Sequence, residues 1–181
     1  KIKINKSQDI PTLVISPSIM DTIRDITTNA SQFETGGLFL GEKSIIDGVY
    51  TITIKRATGP GQKAEFSEHH FIPDKNYYKK QMRNELYLNG ITYVGEWHKH
   101  PGQFDSPSMV DLQTMEDITS EETTKDLVTA ISIIEDVPGV GKVVKVKFYY
   151  FKRGMDTFVL IEPNTISLPE LRPKPKKVNK V

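Results

Sequence analysis

The chain has 181 residues, which is within the size range of a single domain with one hydrophobic core. Its 24 Lys and Arg residues nearly balance 23 Asp and Glu residues, so the net charge of +1 gives no electrostatic reason to expect a nucleic-acid or membrane-surface partner. The absence of cysteine excludes disulfides, cysteine-ligated zinc and a thiol nucleophile. No apolar run approaches the about 20 residues that span a bilayer, and the first residues lack a signal-peptide core, so we expect a cytoplasmic protein.

The N-terminal half of the chain predicts helices and strands in alternation. In chain order these are a helix over residues 17–29, strands over residues 36–41 and 49–58, a helix over residues 74–88 and a strand over residues 91–97. Ser16 and Asp74 provide the N-caps of the two helices. The dipeptide at residues 47–48, Asp-Gly, is typical of a hairpin turn.

The C-terminal half predicts a short helix from Ser108, followed by strands over residues 127–134, 143–151 and 157–162. Residues 116–126 are acidic and show no apolar period, which predicts a mobile loop. The Pro- and Lys-rich tail predicts an extended or disordered segment unless a partner holds it. We therefore divide the chain into an N-terminal segment (1–15), one α/β domain with a mixed sheet (16–163) and a tail (164–181).

One stretch of the sequence, Gly-Glu-Trp-His-Lys-His-Pro at residues 95–101, has the spacing of a metal site. Residues two apart on an extended strand project to the same face, so His98 and His100 can present two imidazoles to one ion. A loop with turn residues then brings the chain back, and Ser108 can cap a helix whose first turn contains Asp111. Two imidazoles and one carboxylate leave a fourth position open, which is the arrangement of catalytic zinc sites.

Other interpretations of the histidines stay open at this point. An isolated His-x-His pair can simply flank the end of a strand, with Asp111 an ordinary surface residue. A second pair, His69 and His70, is adjacent in sequence, so its side chains would point to opposite faces of an extended chain, and we interpret it as structural. Zinc deaminases also activate water, but their ligand pattern requires the cysteine that this chain lacks.

The order of the motifs resembles the JAB/JAMM (MPN) metallopeptidase family. Its motif is a glutamate, then His-x-His-Pro, then Ser-x-x-Asp, and this chain has Glu34, residues 98–101 and residues 108–111 in those places. The resemblance extends over residues 16–162 and implies a single-domain MPN fold, with a mixed central sheet flanked by helices as in cytidine deaminases. Lys99 departs from the Ser or Thr that many members carry between the histidines, but it lies on the strand face away from the ion.

The resemblance also implies a role for each residue of the motif. His98, His100 and Asp111 would bind one Zn²⁺ per chain. Glu34 would be the general base toward the attacking water, and Ser108 would steady the oxyanion. Each role has a physical basis, because zinc acidifies water and polarises a carbonyl, and a nearby carboxylate can transfer the proton.

Two of these assignments have competing interpretations. Glu96 is closer to the histidines in sequence than Glu34, but the position of Glu34 before a glycine-rich strand fits the motif. Ser108 is a good helix N-cap whether or not it contacts an intermediate, and both roles could coexist.

Members of the resembled family hydrolyse peptide or isopeptide bonds after the C-terminus of ubiquitin or ubiquitin-like proteins. The short form with Gly-Glu-Trp-His-x-His-Pro resembles bacterial members, which accompany E1-like and E2-like enzymes, including in anti-phage operons. The resemblance therefore implies removal of a ubiquitin-like modifier from a protein such as a nucleotidyltransferase (CD-NTase), or processing of its precursor. Two other functions stay open: a non-catalytic MPN scaffold, and a zinc amidohydrolase acting on a small-molecule or carrier-protein amide.

Overall fold

The computed structural model describes residues 10–30, 32–67 and 71–173. In chain order its elements are β1 (Thr12–Ile15), α1 (Pro17–Ala30), β2 (Thr35–Ile46), β3 (Val49–Ala57), β4 (Glu65–Phe66), β5 (Phe71–Ile72), α2 (Lys75–Asn89), β6 (Thr92–Lys99), α3 (Met109–Ser120), β7 (Asp126–Val137), β8 (Gly141–Lys152), β9 (Val159–Ile161) and β10 (Asn164–Thr165). The predicted structural pair, His69 and His70, lies outside the described residues.

Eight of these strands form one mixed sheet in the order β10-β1-β3-β2-β6-β7-β8-β9. The pairs β1–β3, β1–β10 and β6–β7 are parallel, and the other neighbours are antiparallel. Strands β4 and β5 form a separate two-stranded sheet. The mixed sheet with helices packed on it confirms the predicted α/β fold class. No helix in the described ranges is long and apolar enough to cross a membrane.

The two faces of the sheet carry different helices. Trp97 of β6 packs with Ile23 of α1 in the main hydrophobic cluster. On the opposite face, Leu38 packs against side chains of α2, and Leu127 packs with side chains of α3. Because successive strand residues alternate between faces, His98 lies on the face that carries α2 and α3.

Helix α2 begins and ends where the sequence predicts. The Asp74 side chain accepts a hydrogen bond from a backbone N–H of the first turn, and Gly90 ends the helix with a φ of 66°. The buried face of α2 is partly polar, because the fully buried Glu85 forms an ion pair with Arg56, in which Glu85 Oε1 is 2.9 Å from Arg56 Nε. This ion pair fixes α2 against β3, beside the strands that carry the predicted site.

The prediction of a mobile loop over residues 116–126 is wrong for its first half. Helix α3 continues to Ser120, and Thr119 is buried. The Arg153 guanidinium donates hydrogen bonds to the carbonyl oxygens of Thr119 and Glu121, which fixes the turn before β7. A side chain more than 30 residues away in sequence therefore orders this segment, and no local pattern reveals it.

The sheet extends beyond the domain that the sequence predicts over residues 16–163. Strand β1 precedes that range with Ile15 buried, and β10 follows it and pairs with β1. Farther along the predicted tail, Leu171 packs against the α2 cluster, and the Arg172 backbone N–H donates to Asn89 Oδ1 at 2.8 Å. The tail is therefore extended and attached to the domain through residue 172.

Candidate metal centre

The structure brings the three predicted ligands together at the end of β6. The Nε2 atoms of His98 and His100 are 2.8 Å apart. Asp111 reaches both rings with different oxygens, since Oδ1 is 3.0 Å from His98 Nε2 and Oδ2 is 3.2 Å from His100 Nε2. The period-two projection of β6 and the first turn of α3 therefore converge on one point, as the spacing predicts.

The second ring nitrogen of His100 determines how that ring is oriented. His100 Nδ1 is 2.9 Å from the carbonyl oxygen of Phe104, and since a carbonyl can only accept, Nδ1 carries the proton. When the ring is neutral, Nε2 therefore has the lone pair, directed toward Asp111 and His98. A metal-binding histidine generally has this kind of hydrogen bond, which fixes its tautomer and its plane.

The loop that carries Phe104 is attached to β8. Asp105 Oδ2 is 2.8 Å from both Lys145 Nζ and Lys147 Nζ. The Tyr149 hydroxyl donates to the Asp105 carbonyl oxygen at 2.8 Å. This support was not predicted from the sequence, although lysines alternate with apolar residues along the predicted strand over residues 143–151.

Ser108 and Asp111 form a reciprocal cap at the start of α3. The Ser108 hydroxyl oxygen accepts from the Asp111 backbone N–H, and the Asp111 carboxylate accepts from the Ser108 backbone N–H. The cap places the Asp111 carboxylate at the helix N-terminus, where the helix dipole favours a negative charge. It therefore holds the side chain in position before any ion binds.

Within the cluster, Asp111 and His100 stabilise each other's charged forms. Burial by itself raises the pKa of Asp111, but hydrogen bonds from His100 and His98 lower it well below the usual range. Burial by itself lowers the pKa of His100, but its hydrogen bonds with Asp111 and the Phe104 carbonyl raise it overall. Protons and a cation therefore compete for the same nitrogen atoms.

Glu34 lies just before β2, at the end nearest the two histidines. Gly36 is opposite His98 in the antiparallel β2–β6 pair, so continuing the register brings Glu34 level with His100. The charge of Glu34 is one of the smaller influences that raise the pKa of His100. The Glu34 backbone N–H donates to the Ser67 carbonyl oxygen at 3.1 Å, which attaches this residue to the β4–β5 sheet.

Glu96 is a second carboxyl near the ligands. It is on the same face of β6 as His98. Burial raises the pKa of Glu96, the charge of His98 opposes this, and the charge of Asp111 adds to it. A raised pKa makes a carboxylate more basic, so it does not exclude Glu96 as a general base, and the preference for Glu34 rests on its position in the motif.

The donor set fits zinc. The three side chains each offer one ligand atom, and these atoms lie within 4.8 Å of one another. Imidazole nitrogen and carboxylate oxygen are common zinc ligands, and three protein ligands leave a position for water or substrate. The proton on His100 Nδ1 leaves Nε2 available for coordination.

Comparison with known families is decisive for the class of protein. The family model described as prokaryotic homologs of the JAB domain matches residues 16–147. The chain belongs to this family. The matched span of the JAB-domain protein contains Glu34, Ser108 and all three predicted ligands.

Two curated relatives of this JAB-domain protein have the same name. It is 28% identical over 131 residues to the CD-NTase/cGAS isopeptidase of Escherichia coli (strain TW11681), which covers 71% of this chain and 79% of the relative. It is 26% identical over 133 residues to the CD-NTase/cGAS isopeptidase of Enterobacter hormaechei subsp. hoffmannii (strain UCI 50), which covers 70% of this chain and 69% of the relative.

A solved structure shares the fold of this JAB-domain protein. The solution structure of a Desulfitobacterium hafniense protein has a TM-score of 0.61 and 18% identity, over 88% of this chain and 96% of that one. At this identity the likeness concerns the fold alone.

Proposed function

We propose that this JAB-domain protein is a zinc-dependent isopeptidase of the cytoplasm. Its reaction is hydrolysis of the bond after the C-terminus of a ubiquitin-like modifier, in a conjugate with a protein such as a nucleotidyltransferase or in a modifier precursor. The names of the two relatives, at 28% and 26% identity, support the isopeptidase class. E1-like and E2-like enzymes that form the conjugate are its proposed operon partners, with a role in antiviral defence.

The convergence of His98, His100 and Asp111 carries the proposal. A non-catalytic scaffold needs no set of ligand atoms within 4.8 Å of one another. It also needs no oriented Nε2 and no carboxyl level with His100. The retention of all these features supports an enzyme over an assembly module.

The residues around the centre have complementary roles in the proposed reaction. Zinc, when bound, supplies a Lewis acid that polarises the scissile carbonyl and acidifies water. Glu34 accepts a proton from the attacking water as the water oxygen bonds to the carbonyl carbon. It then delivers that proton to the leaving amine as the C–N bond breaks. Ser108 accepts a hydrogen bond as the cap of α3, and its own O–H remains to donate to the carbonyl oxygen as charge develops there.

The position of the β4–β5 sheet favours binding of an extended substrate tail beside the metal centre. Ser67 follows β4 and accepts the hydrogen bond from Glu34, so this small sheet borders the centre. The Phe71 ring of β5 lies against Gly36, one position from the start of β2. A tail that adds a strand here would place its last carbonyl near the ligands through main-chain hydrogen bonds.

Exposed apolar side chains on the α3 side of the centre favour a protein substrate. Phe104, Met109 and Val110 are 61%, 79% and 75% exposed. They lie in the loop and first helical turn that lead to Asp111. Apolar groups this exposed beside a reaction centre are typical of a surface that binds another protein.

The proposal is tested by metal content and cleavage of a ubiquitin-like fusion, with His100→Ala and Glu34→Gln as the matched variants. We expect about one zinc per native chain, as in mononuclear sites. His100→Ala should lose both zinc and cleavage, whereas Glu34→Gln should keep zinc and lose cleavage.

Two other outcomes would favour the scaffold or the amidohydrolase function. A native protein without zinc and without cleavage would support the scaffold function. A zinc-containing protein that leaves fusions intact but hydrolyses small amides would support an amidohydrolase.

A further inference from the structure

The peptide group that joins Phe33 and Glu34 is hydrogen-bonded at both ends. The ammonium group of Lys99 donates to the Phe33 carbonyl oxygen at 3.1 Å. The N–H of the same peptide group, which belongs to Glu34, donates to the Ser67 carbonyl oxygen at 3.1 Å. Two bonds on opposite edges of one planar group fix its orientation, and with it the direction in which the Glu34 side chain leaves the backbone.

From this arrangement we propose that Lys99 is a positioning residue for Glu34. It acts through the backbone and has no contact with the substrate. The proposal rests on the isopeptidase function, because it assumes that Glu34 is the base. Lys99 is also the motif residue at which this chain departs from the Ser or Thr that many members of the family carry between the two histidines.

The burial of Lys99 is the second observation that supports this role. Lys99 is 3% exposed, although lysine is almost never fully buried without a partner. A buried ammonium costs free energy that its hydrogen bond to Phe33 must offset.

The position of Lys99 on β6 links the two histidine ligands to Glu34. His98 and His100 project from one face of the strand, and Lys99 between them projects to the other face. Across the strand pair, Lys99 lies opposite Thr35, the residue after Glu34. Strand β6 and the residue that follows it therefore carry the two histidine ligands and the lysine that anchors the proposed base, so their separation is set by one continuous stretch of backbone.

The test compares Lys99→Met, which keeps an unbranched chain but loses the donor, with Lys99→Arg, which keeps a donor. Displacement of a catalytic group by about 1 Å can cost about a hundredfold in rate. We therefore expect Lys99→Met to lower kcat between roughly tenfold and a hundredfold. KM and zinc content should stay unchanged, and Lys99→Arg should recover most of the loss. In a Glu34→Gln background, the same substitution should have little further effect on the residual rate, because it acts through Glu34.

Thr27→Val is the control for loss of a buried polar contact, because Thr27 of α1 packs on the same face of the sheet as Lys99. Its hydroxyl bonds to the Ser132 hydroxyl at 2.8 Å, and Ser132 is the neighbour of Lys99 in β7. This variant should leave kcat within twofold of the native protein. Equal loss of kcat in Thr27→Val and Lys99→Met would overturn the positioning role in favour of a general effect on stability.

Hydrogen exchange gives a readout that does not depend on activity. The Glu34 amide should exchange at least tenfold faster in Lys99→Met than in the native protein, with the amides of β7 unchanged. If the native protein is inactive yet the Glu34 amide exchanges faster in Lys99→Met, the proposed function fails, and only the anchoring of the Glu34 backbone by Lys99 stands. If the protein is active and neither kcat nor exchange at Glu34 responds, the positioning role is wrong.

Discussion

Gly36 of β2 lies directly opposite His98 of β6, and there is no room for a side chain between the strands at this point. A Cβ atom on Gly36 would be 3.0 Å from His98 Cβ and 2.4 Å from the Trp97 carbonyl oxygen. The glycine therefore lets the strand that leads from Glu34 approach the strand that carries the histidines.

Gly36→Ala should destabilise the protein by about 1 to 3 kcal/mol, because the added methyl group must push β2 and β6 apart. Zinc affinity should also fall, since His98 is displaced. Gly59→Ala is the matched control, because its Cβ would meet only Ile26 Cδ1 at 3.4 Å. Denaturant unfolding should show a change within about 0.5 kcal/mol for the control. Equal losses in the two variants would contradict the close-approach explanation.

Ser108 should have separable structural and catalytic contributions. Ser108→Ala removes the N-cap of α3 and should lower the free energy of unfolding by about 1 kcal/mol, and kcat should fall with it. Ser108→Asn restores a good cap without the hydroxyl, so stability should recover while kcat stays low. Thermal unfolding and steady-state cleavage measure the two effects. Recovery of kcat by Ser108→Asn would show that Ser108 acts only as a cap.

Zinc addition should raise the Tm of metal-free protein, because the ion binds only the folded arrangement of ligands. At zinc concentrations about 100 times Kd, the stabilisation is about 2.7 kcal/mol. Glu34→Gln should show the same increase, since it keeps His98, His100 and Asp111. His100→Ala should show none, and an unchanged increase in that variant would place the ion elsewhere.

Asp126, far along β7 from the metal centre, should govern part of the acid sensitivity of the fold. Burial by itself raises its pKa, but hydrogen bonds from Lys43, Tyr50 and Tyr150 lower it overall. The folded-state pKa is therefore below the unfolded value of about 3.9, and the stabilisation is present above that pH and lost as pH falls through the folded value.

Substitution of Asp126 tests this dependence. Asp126→Asn should cost about 3 kcal/mol at pH 7, because it leaves the Lys43 ammonium, 2.7 Å away, without its charge partner. The difference from native protein should shrink as the pH falls from about 4 toward the lower folded-state pKa, because the unfolded chain takes up the proton first. Asp156→Asn, at an exposed position, should change little. Urea unfolding at a series of pH values measures this, and a pH-independent difference would contradict the assignment.

Met109→Ser with Val110→Ser should raise KM for a ubiquitin-like fusion about tenfold, since buried interface side chains contribute on the order of 1 kcal/mol each. Hydrolysis of a short peptide amide should stay unchanged, because it does not reach these side chains. Ile45→Ser is the control, being 75% exposed as Val110 is, but at the distant β2–β3 hairpin. An equal effect on both substrates would argue against a protein-binding surface.

The sequence by itself determined the features that depend on local periodicity and caps. The alternation of β6 placed His98 and His100 on one face and Trp97 in the core. The α2 boundaries followed from an N-capping aspartate and a C-terminal glycine. The motif spacing also identified the residues that converge, although their catalytic roles remain predictions.

Only the tertiary structure decided the features that depend on partners distant in the chain. Arg153 orders the end of α3, and the pairing of β1 with β10 carries the sheet past both predicted domain boundaries. The sequence placed Lys99 on the strand face away from the ion, but only the structure shows that it is buried and donates to the Phe33 carbonyl oxygen. Such contacts join residues that no local period relates, because their free energy arises only when the sheet has assembled and excluded water.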